Sequence, residues 1–188
     1  LLMINTLSII NEDWWTALHE WNGWIAGQDR TWVYEEYKRL LQINCATTVD
    51  DADYLVLKCP THLWAMDYLA KIFPNAKFVW IHRNPIKSVV SFSSLKRMIR
   101  SVFYDKIDPI EVGKETLENF AEGTKQGIEY HDQLDPKRIL DVNYEEFIKD
   151  IPLGVRKIRN YFGFPHTSED DQAIVDYLNI PKEDAPGN

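Results

Sequence analysis

The sequence predicts an α/β fold in which a parallel sheet is covered by helices. Three observations carry this expectation. Short runs of strand composition, at Asp53 to Lys58, Ala76 to His82 and Arg138 to Asn143, alternate with longer segments of helical periodicity. The first two runs are nearly continuous in apolar residues, as strands buried on both faces are. The chain has 188 residues, 45% hydrophobic and 27% charged, enough for a core without disulfides or metals.

Each element follows from local signals. Trp14, Leu18, Trp21 and Ile25 recur at helical steps after a cap-like Asn11, so a helix is expected over Asp13 to Ile25, ended by Gly27. A second helix is expected from Thr31 to Asn44, burying Trp32, Val33, Tyr37, Leu40 and Leu41. Five of the seven tryptophans precede residue 33; at helical spacing they read as core ahead of a substrate pocket. After the strand at Asp53 to Lys58, Pro60 opens a helix with Leu63, Met66, Leu69 and Phe73 on one face, broken by Pro74 and Asn75. The second strand leads into a helix over roughly Pro85 to Val102. A long helix is expected from Glu115 to Leu134 on the face of Leu117, Phe120, Thr124, Ile128 and His131. Beyond the third strand, Glu145 to Lys149 and Leu153 to Phe162 read as helical, closed by Gly163 and Pro165. The tail PKEDAPGN reads as loop or fraying end.

Composition excludes several classes. No apolar run approaches the roughly 20 residues of a membrane span. The opening LLMINTLSII has no basic leader or small-residue cleavage site, so it reads as a chain starting mid-domain and not as a signal peptide. Cys45, Cys59 and five scattered histidines give neither a disulfide framework nor metal-ligand spacing, which makes a reducing, cytoplasmic compartment the expectation. A net charge of -8 argues against general nucleic-acid binding. Yet Tyr68 to Tyr104 contains no acidic residue, while Lys71, Lys77, Arg83, Lys87, Lys96, Arg97 and Arg100 fall there. That segment has room for a small polyanion; a solvated helix face accounts for Lys96, Arg97 and Arg100 but leaves Arg83 open.

Ligands of open parallel sheets bind beyond the carboxyl ends of the strands. Lys58, Arg83 and Tyr144 each stand at or just after such an end, so they are expected to gather on one edge. Arg83 offers a planar donor fork suited to phosphate, and Asn84-Pro85 supplies a helix start whose free N–H groups face the same way. Ser88 and Ser91 share a helix face one turn apart; spacing alone favours Ser88.

The run LKCPTHLWAMDYLAKIFPNAKFVWIHRNPIKSVVSF, with VNYEEF and YFGFP later, resembles the core of sulfotransferases that use 3′-phosphoadenosine 5′-phosphosulfate (PAPS), especially their bacterial-type branch. The resemblance implies a P-loop-NTPase-like sheet, the sulfotransferase fold, in one domain over 1–188. A Trp-rich helical part at 1–50 would precede a cofactor-binding core at 51–165 and a C-terminal helix and loop at 166–188. It implies that Arg83 and Ser91, eight residues apart, grip the cofactor's 3′-phosphate, and so prefers Ser91 to Ser88. Tyr144 would contact the adenine, with a core role as the alternative. Lys58 and His62 stand nearest to the family's Lys-x-His pair, the cation and the base, but three residues separate them instead of one. A structural hydrogen bond is the other role open to His62.

The implied reaction moves a sulfuryl group from PAPS to a hydroxyl or amine of a small-molecule, glycan or lipid acceptor, leaving adenosine 3′,5′-bisphosphate, without a metal. The family's Pro-Arg/Lys-Ser-Gly-Thr loop for the 5′-phosphosulfate has no match, and the C-terminal Gly-x-His/Arg-x-Tyr segment stops just after Gly187. The expectation is therefore a sequence incomplete at both ends. A non-catalytic nucleotide-binding or interaction domain of the same fold is the alternative, and a nucleoside or adenylylsulfate kinase is a third.

Overall fold

The computed structural model describes residues 27–48 and 54–181, with Glu20 and Trp24. Apart from Glu20 and Trp24, the helix expected over Asp13 to Ile25 lies outside the described residues, as does most of the polar tail. The chain forms two compact units, interleaved in sequence: residues 1–76 with 85–133, and residues 77–84 with 134–188.

The first unit is helical. Helix α1 spans Thr31–Thr48, with Asp29 accepting from the Thr31 backbone N–H at 2.9 Å. It buries Val33, Tyr34, Tyr37 and Leu41, a stripe rotated from the expected one, and leaves Trp32 half exposed. The strand expected at Asp53 to Lys58 is not formed: residues 54–59 are irregular, and Val56 is 80% exposed. A strand needs a neighbour to satisfy its backbone, and apolar content alone does not supply one. Pro60 does open a helix, first as a 3-10 segment, Pro60–Ala65, and then as α2, Met66–Ile72. Thr61, Ala65, Met66 and Leu69 are buried there.

Helix α3 runs Pro85–Arg100 and helix α4 Pro109–His131. Helix α4 begins six residues before its expected start because Asp108 caps it, accepting from the Ile110 N–H at 2.8 Å, with Pro109 in the first turn. Its buried stripe is Val112, Thr116, Gly123 and Gly127, whereas Leu117, Thr124 and Ile128 are exposed. The reason is Trp64: a Cβ on Gly123 would stand 2.4 Å from the indole, so the bare backbone at 123 receives the ring. Phe92 and Phe120 join α3 to α4 at 5.0 Å between ring centres. The expected solvated basic face is corrected too. Lys96 and Arg100 are buried against Glu115, at 2.8 and 2.7 Å, and of the three only Arg97 is exposed.

The second unit holds the sheet. Strand β1, Phe78–His82, pairs in parallel with β2, Ile139–Asn143, in the register Phe78 to Ile139 through His82 to Asn143. Period-two alternation puts Val79, Ile81, Leu140 and Val142 on one face and Trp80, His82, Asp141 and Asn143 on the other. Ile81 is 50% exposed, so β1 is not the fully buried strand its composition suggests; among the described residues the ladder has two strands and no inner one. Three helices follow: α5, Tyr144–Phe147; α6, Ile151–Phe162; and α7, Ser168–Leu178. Gly163 ends α6 at φ 73°, a left-handed conformation that favours glycine. A capping box of Thr167 and Asp170 starts α7, and Arg159 to Asp170 at 3.0 Å ties α6 to α7. Among the described residues no helix is long and apolar enough to cross a membrane.

Candidate functional site

Parallel pairing fixes one part of the site in the second unit. Because His82 and Asn143 are register partners, the next residues, Arg83 and Tyr144, leave the two strands at the same level, on the carboxyl edge. The Arg83 guanidinium lies over the Tyr144 ring, 4.8 Å from its centre. Tyr144 is held there by α5, whose cap, the Asn143 side chain, accepts from the Glu146 N–H at 3.1 Å. Arg83 is exposed and Tyr144 half-buried, so the alternative of a core role for Tyr144 gives way to a ring under a cation at the sheet edge. Beside them His82 Nε2 meets Asp141 Oδ1 at 2.5 Å, and His82 stacks on Trp80 at 5.2 Å. Sequence reasoning missed this pair, although the period-two spacing of Trp80 and His82 was visible.

The other expected site residues belong to the first unit. Lys58 is exposed in the irregular segment before the 3-10 turn, so the strand-end argument that placed it does not hold. Ser91 is exposed on α3 and Ser88 partly buried; Ser93 and Ser94 donate back to the Val89 and Val90 carbonyls at 2.7 and 3.0 Å. His62 sits in the 3-10 segment against α1. Its Nδ1 is 3.3 Å from the Tyr34 hydroxyl, and the Tyr34 and Tyr37 rings each stand 5.9 Å from the imidazole. Burial pushes His62 down to about 4, and it pushes the Tyr34 phenol well above its ordinary range. Next to them Cys59 Sγ and Thr61 Oγ1 are 2.9 Å apart. Tyr34 was also missed, though its spacing of three from Tyr37 and seven from Leu41 marks the buried face of a helix.

The family model of the sulfotransferase family matches residues 10–169. The chain belongs to the sulfotransferase family. Two solved structures share its fold. A sulfotransferase from Mycobacterium avium is 24% identical, with a TM-score of 0.81 over 92% of this chain and 44% of that one. A sulfotransferase from Mycobacterium tuberculosis is 26% identical, with a TM-score of 0.81 over 93% and 47%. In sequence, the omega-hydroxy-beta-dihydromenaquinone-9 sulfotransferase of Mycobacterium tuberculosis is 24% identical over 115 residues, 58% of this chain and 28% of its own length. The flavonol 4′-sulfotransferase of Flaveria chlorifolia is 29% identical over 127 residues, 62% and 37%. This sulfotransferase-family chain thus spans less than half the length of each of these proteins.

Proposed function

We propose that this chain carries the cofactor-binding part of a sulfotransferase that moves a sulfuryl group from PAPS to a hydroxyl or amine on a small-molecule acceptor. The observation that carries the reading is the Arg83 guanidinium set over the Tyr144 ring at the carboxyl edge of two paired parallel strands. A planar fork beside an aromatic face suits the phosphate-and-nucleoside half of such a cofactor: the fork binds phosphate oxygens in pairs, and the ring offers an apolar wall to a base. Ser91 enters as a second phosphate ligand through its spacing of eight from Arg83 in the sequence. When bound, PAPS supplies the sulfuryl group and leaves as adenosine 3′,5′-bisphosphate. The chain's own work is to hold that donor in line with the acceptor and to stabilise charge as it develops. Lys58, a flexible exposed cation, and His62, a neutral desolvated imidazole, are the groups proposed to meet the reacting oxygens.

The test is calorimetric titration of the chain with adenosine 3′,5′-bisphosphate, beside ATP and beside Arg83→Ala. Binding selective for the 3′-phosphate and weakened by about 1.5 to 3 kcal/mol in the variant is expected, the range of a charge-assisted hydrogen bond. Equal affinity in Arg83→Ala would overturn the assignment of Arg83.

A further inference from the structure

Tyr34 and His62 carry more information than their proximity. Tyr34 is wholly buried, with 0% of its surface exposed. Its ring stacks on Tyr68, centres 6.0 Å apart and planes within 3°, and meets the edge of Tyr37 at 6.3 Å. The phenol is thereby fixed in place. Among the described residues its hydroxyl has one hydrogen-bond partner, His62 Nδ1 at 3.3 Å. A buried O–H left without an acceptor costs about 1 to 3 kcal/mol. Two arrangements are available to the pair. If the phenol donates, Nδ1 accepts and every buried proton is satisfied. If Nδ1–H donates to the phenol oxygen, the phenol proton is stranded in the core.

The first arrangement therefore wins, and its consequence lies on the other side of the ring. A neutral imidazole whose Nδ1 is an acceptor carries its proton on Nε2. No hydrogen bond joins Nε2 to a described residue, and the side chain is only partly buried, so Nε2 is the polar edge His62 presents outward. Around the pair, α1 contributes Tyr34 and Tyr37, the 3-10 segment and its cap contribute Cys59 and Thr61, and α2 contributes Tyr68. Arg30 and Asp67 act on Tyr34 through space with opposite sign. The shift of His62 has desolvation as its cause, and among the described residues no carboxylate bonds to the ring.

We infer that Tyr34 is a positioning residue that locks His62 as the Nε2–H tautomer, so that the imidazole meets a bound oxyanion as a neutral hydrogen-bond donor and does not take the acceptor's proton. The oxyanion class is a sulfuryl or phosphate oxygen, and that identity rests on the sulfotransfer reading. A base at Nε2 would need a lone pair where the proton stands. Sulfation of a hydroxyl releases one proton whichever group first receives it, so the stoichiometry of transfer is unaltered.

The tautomer is read by long-range proton–nitrogen correlation spectra of the full chain labelled with nitrogen-15, with His62→Gln assigning the His62 ring among the five histidines. From about pH 5.5 to 8, across the ordinary range of histidine titration, Nε2 should resonate as the protonated nitrogen and Nδ1 as the bare one. Tyr34→Phe keeps the ring and removes the donor, and the Nδ1–H fraction should rise several-fold. Inorganic sulfate added to the wild type should move the Nε2 resonance. A wild-type spectrum with Nδ1 protonated overturns the proposal, even where Tyr34→Phe fails to fold. So does an unchanged tautomer ratio in a folded Tyr34→Phe. An Nε2 resonance that sulfate leaves in place overturns donation to an oxyanion. None of these readouts uses PAPS or turnover, so failure to bind adenosine 3′,5′-bisphosphate would remove the cofactor reading and leave the tautomer to its own evidence.

Discussion

At Glu115 one carboxylate answers two buried cations. Lys96 is 2% and Arg100 4% exposed, and both donate to Glu115, Arg100 through two nitrogens at 2.7 and 2.9 Å. Burial raises the pKa of that carboxyl, and the bonds from Arg100 and Lys96 more than reverse it, holding it below the ordinary carboxylate range. The stability it contributes is therefore full above the unfolded carboxyl's pKa and is lost as pH falls through the folded one. Glu115→Gln removes the carboxylate charge to which both buried cations donate; it should cost about 3 to 5 kcal/mol in urea unfolding at neutral pH. His62 titrates in a different window. Its folded pKa of about 4 lies below the ordinary 6.5, so the unfolded chain binds the extra proton between those values. Stability should be greatest above 6.5 and fall toward 4, a slope that His62→Gln should reduce, most clearly between about 5 and 6.5 where the carboxyls contribute least. Lys96, Arg100 and Glu115 were named from the sequence, but their mutual pairing was not. An acid-free stretch shows where cations are, whereas the Glu115 that answers Lys96 lies nineteen residues on.

Two glycines of α4 separate propensity from packing. In a helix interior, alanine is favoured over glycine by about 1 kcal/mol. At Gly113 nothing lies within 4 Å of an added Cβ, so Gly113→Ala should stabilise by about 0.5 to 1 kcal/mol, read as a higher midpoint in urea. At Gly123 the added Cβ would stand 2.4 Å from Trp64, and the ring is not a flexible end that swings clear. Gly123→Ala should therefore destabilise by about 1 to 3 kcal/mol and change the near-ultraviolet circular dichroism of tryptophan. Among the described residues of this unit the helices were legible in the sequence, from apolar periodicity in α1 and from proline in the helices that open at Pro60 and Pro85. The face α4 buries was not: periodicity marks large apolar residues, and the contact with Trp64 is made at Gly123 by the absence of a side chain.

Connectivity decides how the sheet is assembled. Strand β1 comes from residues 77–84, while its ladder partner lies in 134–188, in the same compact unit. A fragment of residues 134–181 keeps β2, α5, α6 and α7 but loses the only strand that pairs with β2 among the described residues. Isolated strands have unpaired backbone groups and no independent stability. The fragment's β2 amides should exchange with solvent at unprotected rates, against clear protection of residues 139–143 in the full chain; protection in the fragment would show that α6 and α7 suffice to order the strand.

Legible in the sequence alone were the alternation of strands and helices, the resemblance to sulfotransferases from Leu57 to Phe92 and again at VNYEEF and YFGFP, and the place of Arg83 at a strand end before a helix. These are local properties: periodicity, punctuation by proline and glycine, and a motif read along the chain. Folding in three dimensions was needed to show that residues 54–59 form no strand, that Lys96 and Arg100 are buried, that Tyr144 lies under Arg83, and that Tyr34 bonds His62. Each depends on a partner distant in sequence, a ladder neighbour, a counter-charge, a ring or an acceptor, and no local pattern encodes which distant partner will arrive.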